Sequence, residues 1–432
     1  MTDRRAVSIR VPVLARVEGE GALEVDIADG RIVHLRLRIY EPPRLFEKFL
    51  EGRAFHEVPD MVARICGICP VAYQMSAVHA LESIVGVAPG PWVRAMRRVM
   101  YCGEWIESHC LHIHLLAAPD FLGCRSVVEL AQSHPEEVRR GLALQALGND
   151  LIRLLGARSV HPVGVRVGGF HHAPPVDAVA ALCGRLRAAL PEAEALLAWT
   201  ASLPLPATAQ RFTSVAMRDG HAYPMNEGRI MSDQGLDIGA GEFEDCFAEH
   251  QVPHSTALHS LLLGQPYLVG PLARINLNHD LLPQPVRDAL QATGVRFPSA
   301  NPFHGIVARA AEIHCALVDA LRLLEQYTVP AAPFVEAVAR CGIGTACTEA
   351  PRGLLWHRYE TDSEGIIRNA RIVPPTSQNQ ARIEQDLRQA LEEFGLDRED
   401  DELRRLGETV IRNYDPCISC ATHFLRLAVR RT

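Results

Sequence analysis

Apolar and polar positions alternate along residues 7–40, from VSIRVPVLARVEG to GALEVDIADGRIVHLRLRIY, with a turn at Asp29 and Gly30. A period of two places one side of a strand against a core, so this region predicts a β-hairpin or small sheet. Further along the chain, apolar residues recur at intervals of three and four, which is typical of helices. The pattern therefore predicts an α+β fold, mostly α, with a central long-helix bundle and a small N-terminal antiparallel β-sheet.

One predicted helix covers residues 70–85, where apolar residues keep a helical spacing from Val71 to Leu81. Pro70 suits the first helical position because that residue's missing N–H has no partner there in any case. Cys69 is therefore expected at the N-terminus of this helix. Further helical segments are predicted at residues 91–118, 134–157, 175–203 and 306–328, and an amphipathic one near residues 383–394.

Composition narrows the range of partners. The 432 residues are 48% hydrophobic and 22% charged, with a formal net charge of −7. Neither basic clusters nor interleaved aromatic residues occur, so we expect no nucleic acid and no membrane surface as a partner. The first residues lack the apolar core of a secretion signal, and no apolar stretch has the length of a membrane span. These features predict a cytoplasmic protein.

Four of the twelve cysteines form two CxxC pairs. RICGICP contains Cys66 and Cys69, and DPCISCATH contains Cys417 and Cys420. Thiolates from two such pairs can surround one soft metal ion, but a zinc ribbon keeps its pairs only about 15–20 residues apart. Here 347 residues separate the pairs. Spacing alone leaves open a structural zinc site, a redox dithiol, two unrelated pairs and an unusual metal site.

The surroundings of the two pairs resemble the large, catalytic subunit of nickel-iron hydrogenases. The similar segments follow the family's order from residue 16 to residue 423, and several are most similar to its cytosolic, NAD(P)-coupled bidirectional branch. The segments are RVEGEGALEV, EPPRLFEKFLEGR, RICGIC, HPVGVRVGGF, EAPRGLLWHRYE, RIVPPTSQN and DPCISCATH. The resemblance implies the family's large-subunit fold and its catalytic chemistry.

The resemblance implies a nickel-iron centre whose iron carries carbon monoxide and two cyanides. It implies that Cys66, Cys69, Cys417 and Cys420 bind nickel and that Cys69 and Cys420 also bind iron. Four thiolates and two cyanides outweigh two divalent metals, so a net negative charge must be buried. A guanidinium that stays protonated is the natural compensator, and the resemblance places Arg352 over the open metal position.

Several further residues take roles from the same resemblance. Glu18 matches a glutamate that carries protons from a cysteine of the centre, here expected to be Cys420. Ser108 occupies a place that is often aspartate near the arginine. The segment that lines the diatomic ligands is matched by Val373, Pro374, Pro375 and Thr376, and Pro351, next to Arg352, is also expected at the cofactor.

Besides Ser108, two further positions depart from the family's common pattern. Pro375 stands where a serine often donates to a cyanide, so that hydrogen bond would have to come from Thr376 or be missing. Tyr73 stands where many relatives have histidine after the second cysteine. These departures predict an altered outer shell around the metals.

A magnesium ion near the C-terminus is also implied, although iron sometimes takes its place. Glu47 and His423 match its ligands, and a main-chain carbonyl at Arg371 completes them. Oxygen-rich, partly hydrated ligand shells suit magnesium. His109, His112, His114 and His161 also suggest metal binding, but we interpret them as core histidines.

The resemblance implies reversible heterolytic cleavage of H2. No second cysteine cluster in the sequence suits iron-sulfur ligation. We therefore expect a small iron-sulfur subunit that takes the electrons and diaphorase-type partners that carry flavin and NAD(P). A hydrogen-sensing subunit with slow turnover and a zinc-stapled structural protein remain alternatives, whereas relatives in respiratory complex I lack the four cysteines.

Because both ends of the chain must meet, residues 1–432 are predicted to form one interleaved catalytic domain. Its parts would be an N-terminal β region at about residues 6–40, a helical body at about 45–410 and a C-terminal metal-binding segment at 411–432. Only FLRLAVRRT follows His423. Many family precursors lose a longer extension there, and we expect no obligatory cleavage in this chain.

Overall fold

The N-terminal sheet forms where the alternation predicts it. A computed structural model describes residues 7–422 of the chain. Strands β1 (Val7–Val11), β2 (Gly21–Ala28) and β3 (Arg31–Ile39) pair antiparallel in that order. Asp29 and Gly30 both have positive φ at the turn between β2 and β3, as a tight two-residue hairpin requires.

Most of the remaining chain is helical. The π-helical turn His112–Ala117 separates α4 from α5. The helices are α1 (Phe46–Leu50), α2 (Val58–Val62), α3 (Pro70–Val85), α4 (Pro91–Leu111), α5 (Ala118–Phe121), α6 (Val127–Ser133), α7 (Pro135–Gly156), α8 (Val176–Ser202), α9 (Phe243–Cys246), α10 (Pro271–Asn278), α11 (Gln284–Ala292), α12 (Gly305–Glu325), α13 (Pro375–Phe394), α14 (Asp400–Asn413) and α15 (Ile418–Ala421).

The predicted helix at residues 70–85 is α3, with the predicted bounds, and Cys69 is its N-cap residue. All residues of α3 except His79 and Ser83 are buried. A helix that is enclosed on all sides belongs to the centre of a core. The hydrophobic cluster around α3 also includes all four cysteines of the two CxxC pairs, so the protein's largest core surrounds them.

Short antiparallel sheets accompany the helices, and the sequence pattern did not predict those beyond residue 40. They comprise β4 (Val165–Arg166) with β5 (Gly169–Phe170), β6 (Val215–Arg218) with β7 (Arg229–Ser232) and β8 (Asp237–Ile238), β9 (Phe247–Gln251) with β10 (Leu258–Leu262), and β11 (Gly342–Ala350) with β12 (Gly353–Thr361) and β13 (Ile367–Val373). The β11–β13 sheet matters most for the site, because its first turn carries Arg352 and its last strand leads into α13.

The predicted mostly-α fold with small antiparallel sheets is confirmed. Between residues 7 and 422, the structure contains no helix whose length and apolar character would let it cross a bilayer.

Candidate metal centre

The sulfur atoms of the two CxxC pairs meet in one buried cluster. Cys66 Sγ lies 3.5 Å from Cys417 Sγ, and Cys69 Sγ lies 3.5 Å from Cys420 Sγ. Within the second pair the sulfurs are 2.8 Å apart. All four sulfurs lie within 4.8 Å of one another, and each residue is at most 4% exposed. Residues from opposite ends of the chain therefore share one site.

The first pair is positioned by the start of α3. The backbone N–H groups of Ile68 and Cys69 donate to Cys66 Sγ at 3.3 and 3.4 Å. Behind them, the buried carboxylate of Glu104 on α4 accepts N–H groups from the first turn of α3 at 2.6 and 3.0 Å. Those N–H groups have no partner within the helix, so Glu104 joins the helix start to the core.

The second pair is held by residues far away in the sequence. The hydroxyl oxygen of Thr376 accepts the N–H of Cys417 at 3.0 Å. Main-chain Glu18 accepts the N–H of Ile418 at 2.9 Å. Arg44 donates to the carbonyl of Ser419 and, at 2.7 Å, to that of Ile65. Arg44 therefore ties the two cysteine segments directly to each other.

The chemistry of this cluster fits a soft metal. Burial raises the pKa of both Cys417 and Cys420, so four thiolates cannot gather here without a cation to balance their charge. Metal–sulfur bonds of about 2.3 Å suit sulfurs at these separations. The donor set is all sulfur and dry, which excludes hard ions such as magnesium.

Arg352 is the cation beside the cluster. It sits in the two-residue turn between β11 and β12 and is 3% exposed. Its Nε donates to the carbonyl of Asp415 at 2.8 Å, and its Nη2 donates to Asp415 Oδ1 at 3.0 Å. Burial opposes the charged form, but Asp415 and the sulfurs of Cys417 and Cys69 hold the pKa of Arg352 above its ordinary value.

The turn that carries Arg352 is braced on two sides. Gly270 has φ +114°, and a Cβ there would lie 2.8 Å from the Arg352 carbonyl oxygen, so only glycine fits. Arg274 is fully buried and donates to the carbonyls of Ala350 and Pro351 at 2.8 Å each. Its guanidinium also pairs with the buried carboxylate of Glu312 at 2.7 and 2.8 Å. The position of Arg352 is therefore set by the fold.

Glu18 lies against the second pair. Its Oε2 is 3.1 Å from Cys417 Sγ and accepts the N–H of Ser419 at 3.0 Å. The predicted proton partner is Cys420, and the structure gives the Glu18 carboxylate a contact with Cys417, to which the parallel bridge between Glu18 and Cys417 brings it. Glu18 is half-buried, so its carboxyl group joins the dry cluster to wetter surroundings.

The segment predicted to line the diatomic ligands runs from the end of β13 into α13. Val373, Pro374, Pro375 and Thr376 are all buried. Thr376 uses an acceptor site for Cys417, so its single hydroxyl hydrogen remains available to donate. Pro375 has no such donor.

Ser108 is fully buried on α4, and its hydroxyl has no hydrogen-bond partner within residues 7–422. Pro351 precedes Arg352 in the same turn and is buried. Tyr73 is 1% exposed and lies on α3 one turn beyond Cys69, with its ring 5.7 Å from that of His357. The raised pKa of its phenol reflects burial first and then the sulfurs of Cys420 and Cys69. Tyr73 therefore belongs to the surroundings of the cluster.

Of the three proposed magnesium ligands, Glu47 and Arg371 lie in the part of the chain that the structure describes, and the fold brings them close together. Glu47 Oε1 accepts the N–H of Ile372 at 2.8 Å, which places the carboxylate beside Arg371 across 325 residues. The Arg371 side chain pairs with Glu244 and Glu249, so it is the main-chain carbonyl, as predicted, that stays the candidate ligand. His423 lies outside the described residues, as does the tail that follows it.

The four histidines that suggested metal binding in the sequence contact a carboxylate or main-chain carbonyls instead. His109 Nε2 lies 2.9 Å from Glu312, and burial lowers the pKa of this imidazole to about 4. His112 contacts the Arg412 carbonyl at 2.8 Å and His114 that of Cys110 at 2.9 Å. His161 lies 2.7 Å from the Ala63 carbonyl. Three are fully buried core residues and the fourth packs beside the segment that leads to Cys66.

Sequence reasoning missed two residues that the geometry places at the centre. Asp415, the counter-charge of Arg352, belongs to the quoted DPCISCATH motif, but the motif alone does not indicate its pairing with Arg352. It adopts φ +56°, a conformation that aspartate tolerates better than most residues. Arg44 belongs to the quoted EPPRLFEKFLEGR segment. Its neighbours in the sequence do not indicate its partners, the carbonyls of Ile65 and Ser419.

The chain is similar in sequence to a known family and to curated proteins over most of its length. Residues 44–147 and 263–423 match the family model described as nickel-dependent hydrogenase. The chain is 34% identical over 423 residues to sulfhydrogenase 1 subunit alpha of Pyrococcus furiosus, covering 97% of this chain and 98% of the relative. It is 27% identical over 462 residues to the NAD-reducing hydrogenase HoxS subunit beta of Cupriavidus necator, with coverages of 95% and 94%.

A solved structure agrees with these matches. The crystal structure of an NAD+-reducing [NiFe]-hydrogenase in the H2-reduced state superimposes with a TM-score of 0.86 at 29% identity. The alignment covers 97% of this chain and 100% of that one. The similarity therefore includes both cysteine segments and the elements that hold them.

Proposed function

The chain belongs to the nickel-dependent hydrogenase family, and from that premise we propose that its paired cysteines hold a nickel-iron centre that cleaves H2 reversibly. It is a catalytic large subunit of nickel-iron hydrogenase type, an oxidoreductase that acts on H2. The observation that carries the proposal is the convergence of four buried sulfurs from residues 66–69 and 417–420. In the proposed site all four bind nickel, and Cys69 and Cys420 also bind iron.

When bound, the metal pair supplies the redox-active, Lewis-acidic position at which H2 is polarised. The residues around it handle charge and protons. Arg352 offsets the negative charge of the thiolates in a dry site, with its orientation set by Asp415. Cys417 Sγ passes a proton to Glu18 Oε2 over 3.1 Å, and Glu18 releases it toward its exposed side.

The lining segment is proposed to hold the carbon monoxide and two cyanides on iron. Val373, Pro374 and Pro375 offer buried apolar contacts, and the Thr376 hydroxyl can donate its one hydrogen to a cyanide while it accepts from Cys417. Pro351 precedes Arg352 in the same turn, and Ser108 is proposed to lie on the Arg352 side of the same site. A smaller number of donors than in serine-containing relatives predicts a more weakly hydrogen-bonded cyanide.

Glu47, the carbonyl of Arg371 and His423 are proposed to bind magnesium, or iron in its place. The contact of Glu47 with Ile372 supports this, since it brings a carboxylate to the carbonyl-bearing strand end. Such an oxygen-rich site would anchor the C-terminal segment against β13.

Electrons must leave through partner subunits. Within the described residues, only one group of cysteines could hold a metal, and it is the site itself. We therefore propose a small subunit that carries iron-sulfur clusters, and diaphorase-type subunits that bind flavin and NAD(P). The likeness to an NAD-reducing relative supports this route. We also propose a cytoplasmic location and a single interleaved domain, as the contacts of Glu18 and Arg44 with residues 417–419 suggest.

The test combines composition with turnover. The purified complex should contain nickel and iron, show infrared bands of metal-bound carbon monoxide and cyanide, and reduce NAD+ or NADP+ with H2. Zinc as its only metal would overturn the nickel-iron proposal. Intact mass of the metal-loaded subunit should retain FLRLAVRRT, and a chain ending at His423 would show that processing occurs.

A hydrogen-sensing role is the alternative that the same fold permits. It predicts nickel, iron and the same infrared bands, but slow turnover and no reduction of NAD+ or NADP+. The turnover measurement on the whole complex separates the two functions.

A further inference from the structure

A second group of metal-binding side chains lies where the β9–β10 hairpin packs on α13. His259 is on β10, His254 is in the connection before it, and Glu384 is on α13. One ligand atom from each lies within 4.8 Å of the other two. Glu384 lies eight residues after Thr376 on α13, which is about 12 Å along the helix. Thr376 is the residue of α13 that contacts Cys417. The group is therefore separate from the site already described.

His259 brings a buried nitrogen without a hydrogen-bond partner to this group. The residue is 3% exposed, and its Nε2 has no hydrogen-bond partner among the residues that the structure describes. Burial, with help from His254 and His250, lowers the pKa of His259 to about 3. The neutral ring therefore carries a lone pair at neutral pH, and a buried polar atom without a hydrogen-bond partner is unfavourable.

The other two side chains complete a half-enclosed cradle. His254 Nε2 lies 2.8 Å from Glu384 Oε1. The same oxygen accepts the N–H of Leu37 on β3 at 2.8 Å, which fixes the carboxylate's orientation. His254 and Glu384 side chains are each 19% exposed, so an ion could enter from this side.

We propose that His254, His259 and Glu384 bind a divalent transition metal ion of the zinc class. Two imidazole nitrogens with one carboxylate oxygen favour zinc over magnesium or calcium, which prefer oxygen ligands. Bonds of about 2.0–2.1 Å in a tetrahedron place ligand atoms roughly 3.4 Å apart, so small side-chain rotations suffice. Water would occupy the fourth position.

The bound ion would join three elements that otherwise meet only by packing and hydrogen bonds. It would tie the β9–β10 hairpin to α13, while Glu384 keeps its contact with β3. The first turn of α13 carries Thr376, which holds Cys417. The ion's role is therefore structural: it stabilises the helix whose start borders the metal centre.

Cobalt titration of the nickel-loaded complex tests this inference. The complex is dialysed against a chelator, supplied again with magnesium, and titrated with Co2+ and then with Zn2+. We expect one additional Co2+ per subunit, with visible d–d bands of nitrogen and oxygen ligation and without the near-ultraviolet band of sulfur ligation. Zn2+ should displace the cobalt and raise the thermal midpoint.

The variants His254→Gln, His259→Gln and Glu384→Gln should each weaken Co2+ binding by more than about 100-fold. His221→Gln, at an exposed position, is the matched control and should bind as the native protein does. His254→Gln and Glu384→Gln change side chains that are each 19% exposed, whereas His259 is 3% exposed, so they keep the test valid if His259→Gln misfolds.

Equal Co2+ binding by the native protein, His254→Gln and Glu384→Gln would overturn the inference. So would cobalt that binds through sulfur alone, or that does not bind at all. The readout does not depend on H2 turnover or on nickel content. Failure of the proposed hydrogenase function would therefore leave this result unchanged.

Discussion

The two CxxC pairs reach the same cluster by different physical routes. Cys66 and Cys69 precede α3, a 16-residue helix enclosed by the core, and their nearest contacts are local. Cys417 precedes the four-residue α15 and Cys420 lies within it, and residues about 40 to 400 positions away hold them. A helix of one turn has no stability of its own. The first pair therefore depends on its helix, and the second depends on tertiary contacts.

Because of this difference, the second pair is sensitive to substitutions far from it in the sequence. Changes in Glu18, Arg44, Thr376 or Arg352 act on the second pair, although none is near it in sequence. The first pair has fewer distant contacts among those described above: the Glu104 carboxylate at the start of α3 and the hydrogen bond from Arg44 to the Ile65 carbonyl. Substitutions can test whether the two pairs fail in different ways.

The largest effect is expected where the two pairs should behave alike. Cys417→Ser and Cys66→Ser each remove one soft ligand, so nickel content and H2 turnover should fall by more than about 100-fold. Elemental analysis and H2 uptake measure the loss. Cys341→Ser changes an exposed cysteine outside the cluster and should have no effect. Full nickel retention in either cluster variant would contradict the shared site.

The next effect should be confined to the second pair. Glu18→Gln keeps the shape of the side chain but removes its ability to take a proton from Cys417. H2 turnover should fall about 10²–10⁴-fold, while nickel content and the infrared bands stay unchanged. Glu18→Asp should recover part of the rate. Unchanged turnover in Glu18→Gln would show that protons leave by another route.

Removal of the buried guanidinium should weaken both the fold and the site. Arg352→Ala leaves Asp415 buried without its cation, which is unfavourable by about 3–5 kcal/mol. Thermal denaturation of the complex should show a clearly lower midpoint, and Arg352→Lys should lose less because it retains the charge. Arg31→Ala, at an exposed position on β3, is the control. An unchanged midpoint in Arg352→Ala would mean that the ion pair contributes no net stability.

The smallest effect separates the two pairs most sharply. Thr376→Val leaves the N–H of Cys417 without its acceptor, at a loss of about 1–3 kcal/mol, and should loosen nickel by roughly 10-fold. Glu104→Gln alters the corresponding support of α3. It should lower the thermal midpoint with less loss of nickel, because α3 keeps its packing. Nickel release rates under a chelator measure the difference, and equal rates would erase the distinction between the pairs.

Local chemistry made part of the fold predictable. Pro70, the turn at Asp29 and Gly30, and regular spacing of apolar residues define α3 and the N-terminal hairpin at short range. The β11–β13 sheet was not predicted because β11 is buried on both sides at its C-terminal end and shows no alternation there. A strand without alternating exposure cannot be recognised by its period.

The candidate site divides in the same way. Soft thiolates in two pairs indicated a metal, and the motifs around them indicated which family to expect. The pairing of Glu18 with Cys417 instead of Cys420 required coordinates, since the two cysteines are three residues apart and equally plausible in sequence. The roles of Asp415 and Arg44 also emerged only from their long-range partners.

By itself, the sequence determined which residues are able to bind a soft metal and which short segments become helix or hairpin, because ligand chemistry and backbone periodicity are local properties. Tertiary structure alone decided that sulfurs 351 residues apart lie 3.5 Å from each other. It also decided that Arg352 is buried against Asp415 and that Glu18 contacts one particular thiol. These contacts arise when the core closes around α3, and no local pattern in the chain encodes a distance across it.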